Sequence, residues 1–444
     1  MVEPSQAATV EVRGDRLRTP VLAGLGGKVA EAVTLVLLAT VVPRVLGPAD
    51  YGGFAVALTV VMIGALAMTV GGATLLARYV PAAVPGERAA LARALSLRLG
   101  RNRAMVLAAL AAVATVLAVW NPERFPPLPT ALVVIALALN VATTLALQAD
   151  LGLGRAWGWS ARYPVQNAVL VAAVLVLYAT AGPTGAVAAI VVAAAAGFVL
   201  AVAAVGPLLV GRVAAVPLPA GAGRFAVMQA TGGALTQLAQ RGGVVVVALV
   251  AGDAVETGFA ALALGVALAA VYAVVQLFTV SLPMLAQRPD DGAEPALRWL
   301  AGWVLLAVVP SAVATAAVLD TAVPLVFGAA YTGAVTAFGP ALAIVVLAPL
   351  HALAIQAAAL RMRPEVSLYA GLAGAAVFAG ASAWVVPVAG AVGASCAALA
   401  ATGTSALVAI RMLPGAIGGR IAFTSFGGAL SVVALSALAQ GALS

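Results

Sequence analysis

Apolar residues fill this chain in thirteen runs, near 21–42, 54–77, 104–120, 130–149, 163–180, 185–210, 225–250, 258–283, 299–319, 334–355, 366–386, 390–410 and 421–442. Short polar or glycine-bearing breaks separate them. A run of about 20 residues, rising about 1.5 Å per residue, crosses the hydrocarbon of a bilayer. Alternation of period two would predict the strands of a membrane barrel. These runs are instead continuous and rich in Ala, Leu and Val, which predicts helices. The expected fold class is all-α: a polytopic membrane protein, with the Gly- and Ser-rich last run as an extra C-terminal helix.

Composition agrees. Hydrophobic residues make up 64% of the 444 and charged residues 9%, against about 25% charged in soluble domains. The formal charge of +8 does not signal nucleic acid, because the basic residues lie in loops between apolar runs and not on one soluble face. With the N-terminus inside, nineteen of the 23 Lys and Arg residues fall in loops on that side. Only Arg44 and Arg124 fall opposite, while Lys28 and Arg241 lie within runs. That asymmetry sets orientation and supports the count, since one helix too many would invert every later loop. Residues 1–20 read as a polar tail on the inner side. Residues 81–103, with Arg88, Leu91, Ala92, Leu95 and Leu99, are compatible with an amphipathic helix on the inner leaflet or with a solvated basic linker.

Residues 211–224, with two Pro and four Gly, mark a joint after six runs. A lobe over 21–210 and a second over 225–410 are expected, followed by the extra helix within 411–444. Sliding the chain by 205 positions lays Gly27 on Gly232, Gly47 on Gly252, Gly53 on Gly258 and Phe54 on Phe259. Both halves start from the same side, so the repeat is parallel.

Two runs carry polar stripes. In the seventh, Gln229, Gly233, Gln237 and Arg241 recur every four residues, with Thr236 and Gln240 beside them; this spacing makes one helix face. In the first, Gly24, Lys28, Glu31 and Thr34 do the same. As repeat partners, the two stripes are expected to face each other across a central cavity. Ionisable groups inside a span are costly and read as functional. Arg241 has no acidic neighbour within four residues, so an anionic ligand is one partner that would satisfy it, and its fork suits phosphate. Lys28, Arg241, Gln237 and Gln240 are therefore candidate substrate-binding residues, Glu31 a candidate coupling residue, and Gln229 and Asn140 candidate cavity-lining residues. Snorkelling of Lys28 to the interface and interhelical bonding by Arg241 and the glutamines are the structural alternatives. His351 is the single histidine and Cys396 the single cysteine, which rules out multi-histidine and cysteine metal sites. The GLGGK at 24–28 lacks the spacing of a phosphate loop. No metal or cofactor is expected, and no outside loop is long enough to hold an enzyme's carboxylate site.

The segment RVLGPADYGGFAVALTVV at 44–61, with ARYVPA at 77–82, resembles the polysaccharide-transporter branch of the multidrug/oligosaccharidyl-lipid/polysaccharide exporter superfamily. The family pattern L-G-x-x-x-[YF]-G is met by Leu46, Gly47, Tyr51 and Gly52, with Gly53 following. A second signature, PLVFGAAYTGA at 324–334, places Phe327, Gly328, Tyr331 and Ala334. Gly47, Tyr51, Gly53, Gly328 and Tyr331 are thus expected to have structural roles. The resemblance implies two six-helix lobes, a cavity between them and alternating access. It implies a flippase of a bacterial inner membrane whose cargo is a polyprenyl-diphosphate-linked glycan, working within membrane lipid and beside glycan-assembly enzymes. Two other readings stay open: a small-molecule exporter driven by a coupling cation held at Glu31, and a non-transporting scaffold in which the charges of the first and seventh runs lock helices together.

Overall fold

A computed structural model describes residues 15–441 apart from 69–71, 85, 156, 210, 212–220, 286–289, 362, 414 and 416–417. Twelve α-helices follow in order: α1 (Asp15–Met68), α2 (Gly72–Ala82), α3 (Arg88–Trp120), α4 (Pro127–Gly152), α5 (Trp157–Leu209), α6 (Ala222–Val250), α7 (Ala254–Leu285), α8 (Asp290–Ala317), α9 (Leu319–Phe327), α10 (Val335–Leu360), α11 (Pro364–Met412) and α12 (Gly419–Gly441). A 3-10 segment, Ala329–Ala334, joins α9 to α10. There is no strand among the described residues.

Among the described residues, ten helices are long and apolar enough to cross a membrane. Three of these ten are broken. Left-handed glycines interrupt α1 at Gly47 (φ 71°), α5 at Gly182 (φ 57°) and α11 at Gly390 (φ 47°), a conformation that costs glycine little. Each break lies between two of the expected runs, so all thirteen runs are helical. This is a multi-pass membrane protein.

The chain forms two lobes. In the first, α5 packs on α1 and α4, and α3 and α2 pack on α4. In the second, α6 packs along α11, and α10 lies against α7, α8 and α11. The last helix, α12, lies against α10 and α8, so it extends the second lobe. The lobes meet where α1 touches α6 and α7.

The parallel repeat is visible in the packing. Gly27 of α1 crosses α5 at Ser160, where an added Cβ would stand 3.1 Å from the serine Cβ. Its repeat partner Gly232 of α6 crosses α11 at Ser367, with no room at all for a Cβ. Equivalent carboxylates also recur. The Tyr178 hydroxyl, one turn before the Gly182 break, donates to Asp50 at 2.7 Å. The N–H of Ala391, beside the Gly390 break, donates to Glu256 at 2.9 Å.

Three expectations need correction. Residues 88–103 do not form a separate surface helix: they continue directly into the third span as α3, with Leu91, Ala92 and Leu95 packed against Leu76 and Val80 of α2 and Ala149 of α4. Tertiary burial of that apolar stripe replaces membrane-surface burial. The first helix begins at Asp15, earlier than the expected 21, and residues 1–14 of the tail lie outside the described residues, as do 212–220 of the joint. Gly53 is not a close-contact glycine: a Cβ there would meet nothing. Its neighbour Gly52 makes the approach, with the Ala254 carbonyl 2.5 Å from an added Cβ.

Candidate functional site

Arg241 lies on α6 at the seam between the lobes. Its Nε donates to Oε1 of Gln237, one turn earlier, at 3.0 Å, as the four-residue spacing of the stripe requires. Its Nη1 lies 3.6 Å from the Met62 sulfur on α1. No carboxylate among the described residues pairs with it. The guanidinium borders a cavity of about 90 Å³ whose other walls include Tyr51, Phe54, Met62, Val244 and Leu264. At about 30 Å³ per water, that space holds about three waters.

Beside it, the first lobe carries a buried polar network. Arg162 of α5, only 4% exposed, donates from Nε to Gln166 at 3.1 Å and from Nη2 to Asn140 of α4 at 3.3 Å. Its guanidinium carbon lies 5.0 Å from the centre of the Tyr163 ring, within cation–π range. Gln166 also donates to Asn140, at 3.4 Å, and Asn167 donates to Thr34 of α1 at 3.5 Å. Glu31, 5% exposed, accepts a hydrogen bond from Tyr272 of α7, across the lobe boundary. Tyr163 and Tyr272 both lie within electrostatic range of Arg241, and Tyr272 within range of Arg162. Two arginines, one glutamate and two tyrosines thus gather at the interlobe seam, on the arginine-rich side of the apolar cavity walls.

No protein-family model matches the sequence, and no curated protein matches it. Solved structures do. The chain is similar to "Lipid II flippase MurJ, inward closed conformation", with a TM-score of 0.64 at 10% identity over 95% of this chain and 98% of that one. It is also similar to an outward-facing multidrug resistance MATE family transporter of the MOP superfamily, with a TM-score of 0.59 at 14% identity, covering 95% and 96%. A MOP superfamily transporter from Pyrococcus furiosus aligns at a TM-score of 0.51 and 15% identity, covering 95% of each chain.

The fold is that of the MOP-superfamily transporters.

In this MOP fold, the two sequence signatures meet although 280 residues separate them. The rings of Tyr51 and Tyr331 stand edge-on with centroids 6.4 Å apart. Phe259 and Phe327 also pack on Tyr331, at 6.3 and 6.4 Å. The Tyr331 hydroxyl donates to the Pro43 carbonyl at 2.9 Å, joining the second lobe to the last turn before the Gly47 break. Arg124, the other basic residue expected at the arginine-poor end besides Arg44, donates across the lobes to the Leu249 carbonyl at 2.5 Å. Hydrogen bonds and rings therefore close the cavity at that end. Gly328 turns the chain into this knot with φ 104°.

The expected site residues divide. Arg241 reaches the cavity and Gln237 holds its guanidinium. Glu31 lies in the same cluster. Gln240 is buried but does not line the cavity, and Gln229 does not reach it either. Asn140 belongs to the Arg162 network, not to the cavity wall, because its face of α4 is turned toward α5. The side chain of Lys28 lies outside the described residues. Gln148 and Asp150, expected within reach of water at the inner end of α4, are buried. His351 is buried inside α10, with Nδ1 lacking a hydrogen-bond partner among the described residues. Sequence reading missed Arg162, Tyr163, Gln166 and Tyr272. The signal for the first was present: Arg162 and Gln166 repeat the four-residue arginine–glutamine spacing of Gln237 and Arg241.

Proposed function

We propose that this chain is an alternating-access transporter that moves an anionic lipid-linked headgroup across the membrane, with a polyprenyl-diphosphate-linked glycan precursor as its cargo class. One observation carries the reading: Arg241, a permanently charged group, stands at an interlobe cavity with a glutamine and a thioether as its neighbours and no carboxylate. A buried guanidinium left with neutral partners is costly, and a phosphate would supply the missing charge with bidentate geometry. Phosphate cannot enter hydrocarbon cheaply. Placing the cation between two lobes lets the headgroup cross in a polar groove while its lipid tail stays in the bilayer. The cavity as it stands is too small for a glycan, so loading requires the lobes to part. The likeness in fold to a lipid II flippase supports this class of cargo, and the signatures around Tyr51 and Tyr331 support the polysaccharide branch. The arginine asymmetry supports an inner-membrane orientation with the N-terminus cytoplasmic.

A second reading has its own observation. Glu31 is buried and bonded across the lobes to Tyr272, where a proton or cation would alter the seam directly, as a coupled exporter needs. One assay separates the two. In reconstituted vesicles, accessibility of a fluorescent lipid-diphosphate headgroup reports translocation. Arg241→Ala is expected to lower its rate at least tenfold, while Glu31→Gln leaves passive exchange in place. An unchanged rate in Arg241→Ala overturns the anion site. Loss of all movement in Glu31→Gln, with the rate in the native protein following an imposed ion gradient, favours the exporter.

A further inference from the structure

Segment 88–103 carries five arginines, and three are engaged with the protein. Arg88 donates to the Ala83 carbonyl at 3.0 Å, Arg93 lies against Gly211, and Arg103 is buried and donates to the Leu99 carbonyl at 3.1 Å. Arg98 and Arg101 are different. Both are exposed, and neither has a hydrogen-bond or ion-pair partner among the described residues. At positions i and i+3 they share a helix flank with Met105 at i+7, and Met105 is 61% exposed. Beyond it Val106, Leu110, Val113 and Val116 are exposed as well, so this side of α3 looks into lipid.

Depth follows from the helix itself. Trp120, 88% exposed, ends α3 at the arginine-poor boundary, where tryptophan is favoured. At about 1.5 Å per residue, Arg101 and Arg98 lie about 28 and 33 Å below it. The hydrocarbon is about 30 Å thick, so the two guanidiniums arrive at headgroup level in the opposite leaflet. Anchoring alone does not demand charge there. The third span of the second lobe, α8, presents the paired rings of Trp299 and Trp303, both exposed and 6.0 Å apart.

We propose that Arg98 and Arg101 form a recognition step on the lipid-facing flank of α3 that binds the headgroups of anionic phospholipids in the leaflet at the arginine-rich end. The partner is set by charge complementarity: two unpaired guanidiniums at phosphate depth, directly below an apolar flank that accommodates acyl chains. Zwitterionic lipids fill the same flank without the net charge.

The full-length protein, exchanged into equal amounts of phosphatidylglycerol and phosphatidylcholine with identical acyl chains, tests this by native mass spectrometry of the retained lipid. Arg98→Gln with Arg101→Gln is expected to lower the anionic-to-zwitterionic ratio of bound lipid by about fivefold per arginine, leaving phosphatidylcholine occupancy unchanged. Arg98→Lys with Arg101→Lys should keep the native ratio. An unchanged ratio in the glutamine variant overturns the proposal, as does loss of both lipids together or a lysine variant that behaves like glutamine. If the double variant does not fold, each single glutamine variant must show its own share of the effect, and two unchanged singles overturn it equally.

Discussion

Helices α3 and α10 stand at opposite extremes of the molecule. The spanning part of α3 is 11% buried, whereas that of α10, taken with the 3-10 segment before it, is 89% buried. One is the rim of the first lobe and the other the axis of the second. Around α10 the second lobe packs Leu262, Leu264, Ile344, Leu347 and Leu353 into a dry core, closed on its far side by α12. The first lobe has a smaller apolar core around Val42, Phe54 and Val174 and puts its polar network between α1, α4 and α5. The halves of one repeat have diverged in material: one is close-packed hydrocarbon, the other is stitched by amides and a guanidinium. Close-packed cores move as rigid bodies, while polar networks can exchange partners without leaving hydrogen bonds unmade. The rearranging part of a transport cycle should therefore sit in the first lobe.

The strongest way to break this contrast is to put the same side chain at equivalent glycines. Gly232→Val drives two methyls into the Ser367 backbone and should cost about 3 kcal/mol through overpacking. Gly27→Val meets Ser160 at a looser crossing and should cost about 1 kcal/mol. Thermal unfolding in one detergent compares them, and equal losses would mean that the lobes are alike in stiffness. Next is Arg162→Met, which keeps stem packing but deprives Asn140 and Gln166 of their donor. It should cost about 2 kcal/mol, typical of buried polar groups left unsatisfied, and raise hydrogen exchange in α4 and α5 but not in α10. Exchange rising in both lobes would break the division. The smallest effect belongs to Tyr331→Phe, which keeps the aromatic knot and removes only the bond to Pro43. A loss of about 1 kcal/mol should shift the lobes about fivefold toward opening at the arginine-poor end. Spin-label distances between the α3–α4 loop and the end of α6 would register it, and no shift would show that the rings alone hold the seal.

Much of the fold was legible because bilayer crossing imposes length and composition. The turns at Gly47, Gly182 and Gly390 fall where the apolar runs stop, and the shift that paired Gly27 with Gly232 picked out equivalent helix crossings. The site was less legible. Periodicity placed Gln229, Gln237, Gln240 and Arg241 near one face, but a helix in a bundle has several neighbours, and only packing decides that Arg241 meets the cavity while Gln240 is buried elsewhere. Arg162 was read as a loop arginine because α5 begins at Trp157 and not at the expected 163, and that short extension carries the residue into the lobe. Tyr163 and Tyr272 gave no signal, since an isolated tyrosine in an apolar run reads as packing. The stripe at 88–103 looked like a surface helix because sequence shows a helix's apolar side and not the partner covering it.

The packing of α12 on α8 and α10 alone has a consequence for the geometry of the chain as a whole. Thirteen crossings are an odd number, so Asp15 and Gly441 emerge on opposite faces of the bilayer. Because α12 is fastened to one lobe, whatever is attached beyond Gly441 is carried along by that lobe, as a passenger on its swing and not a brake between the two.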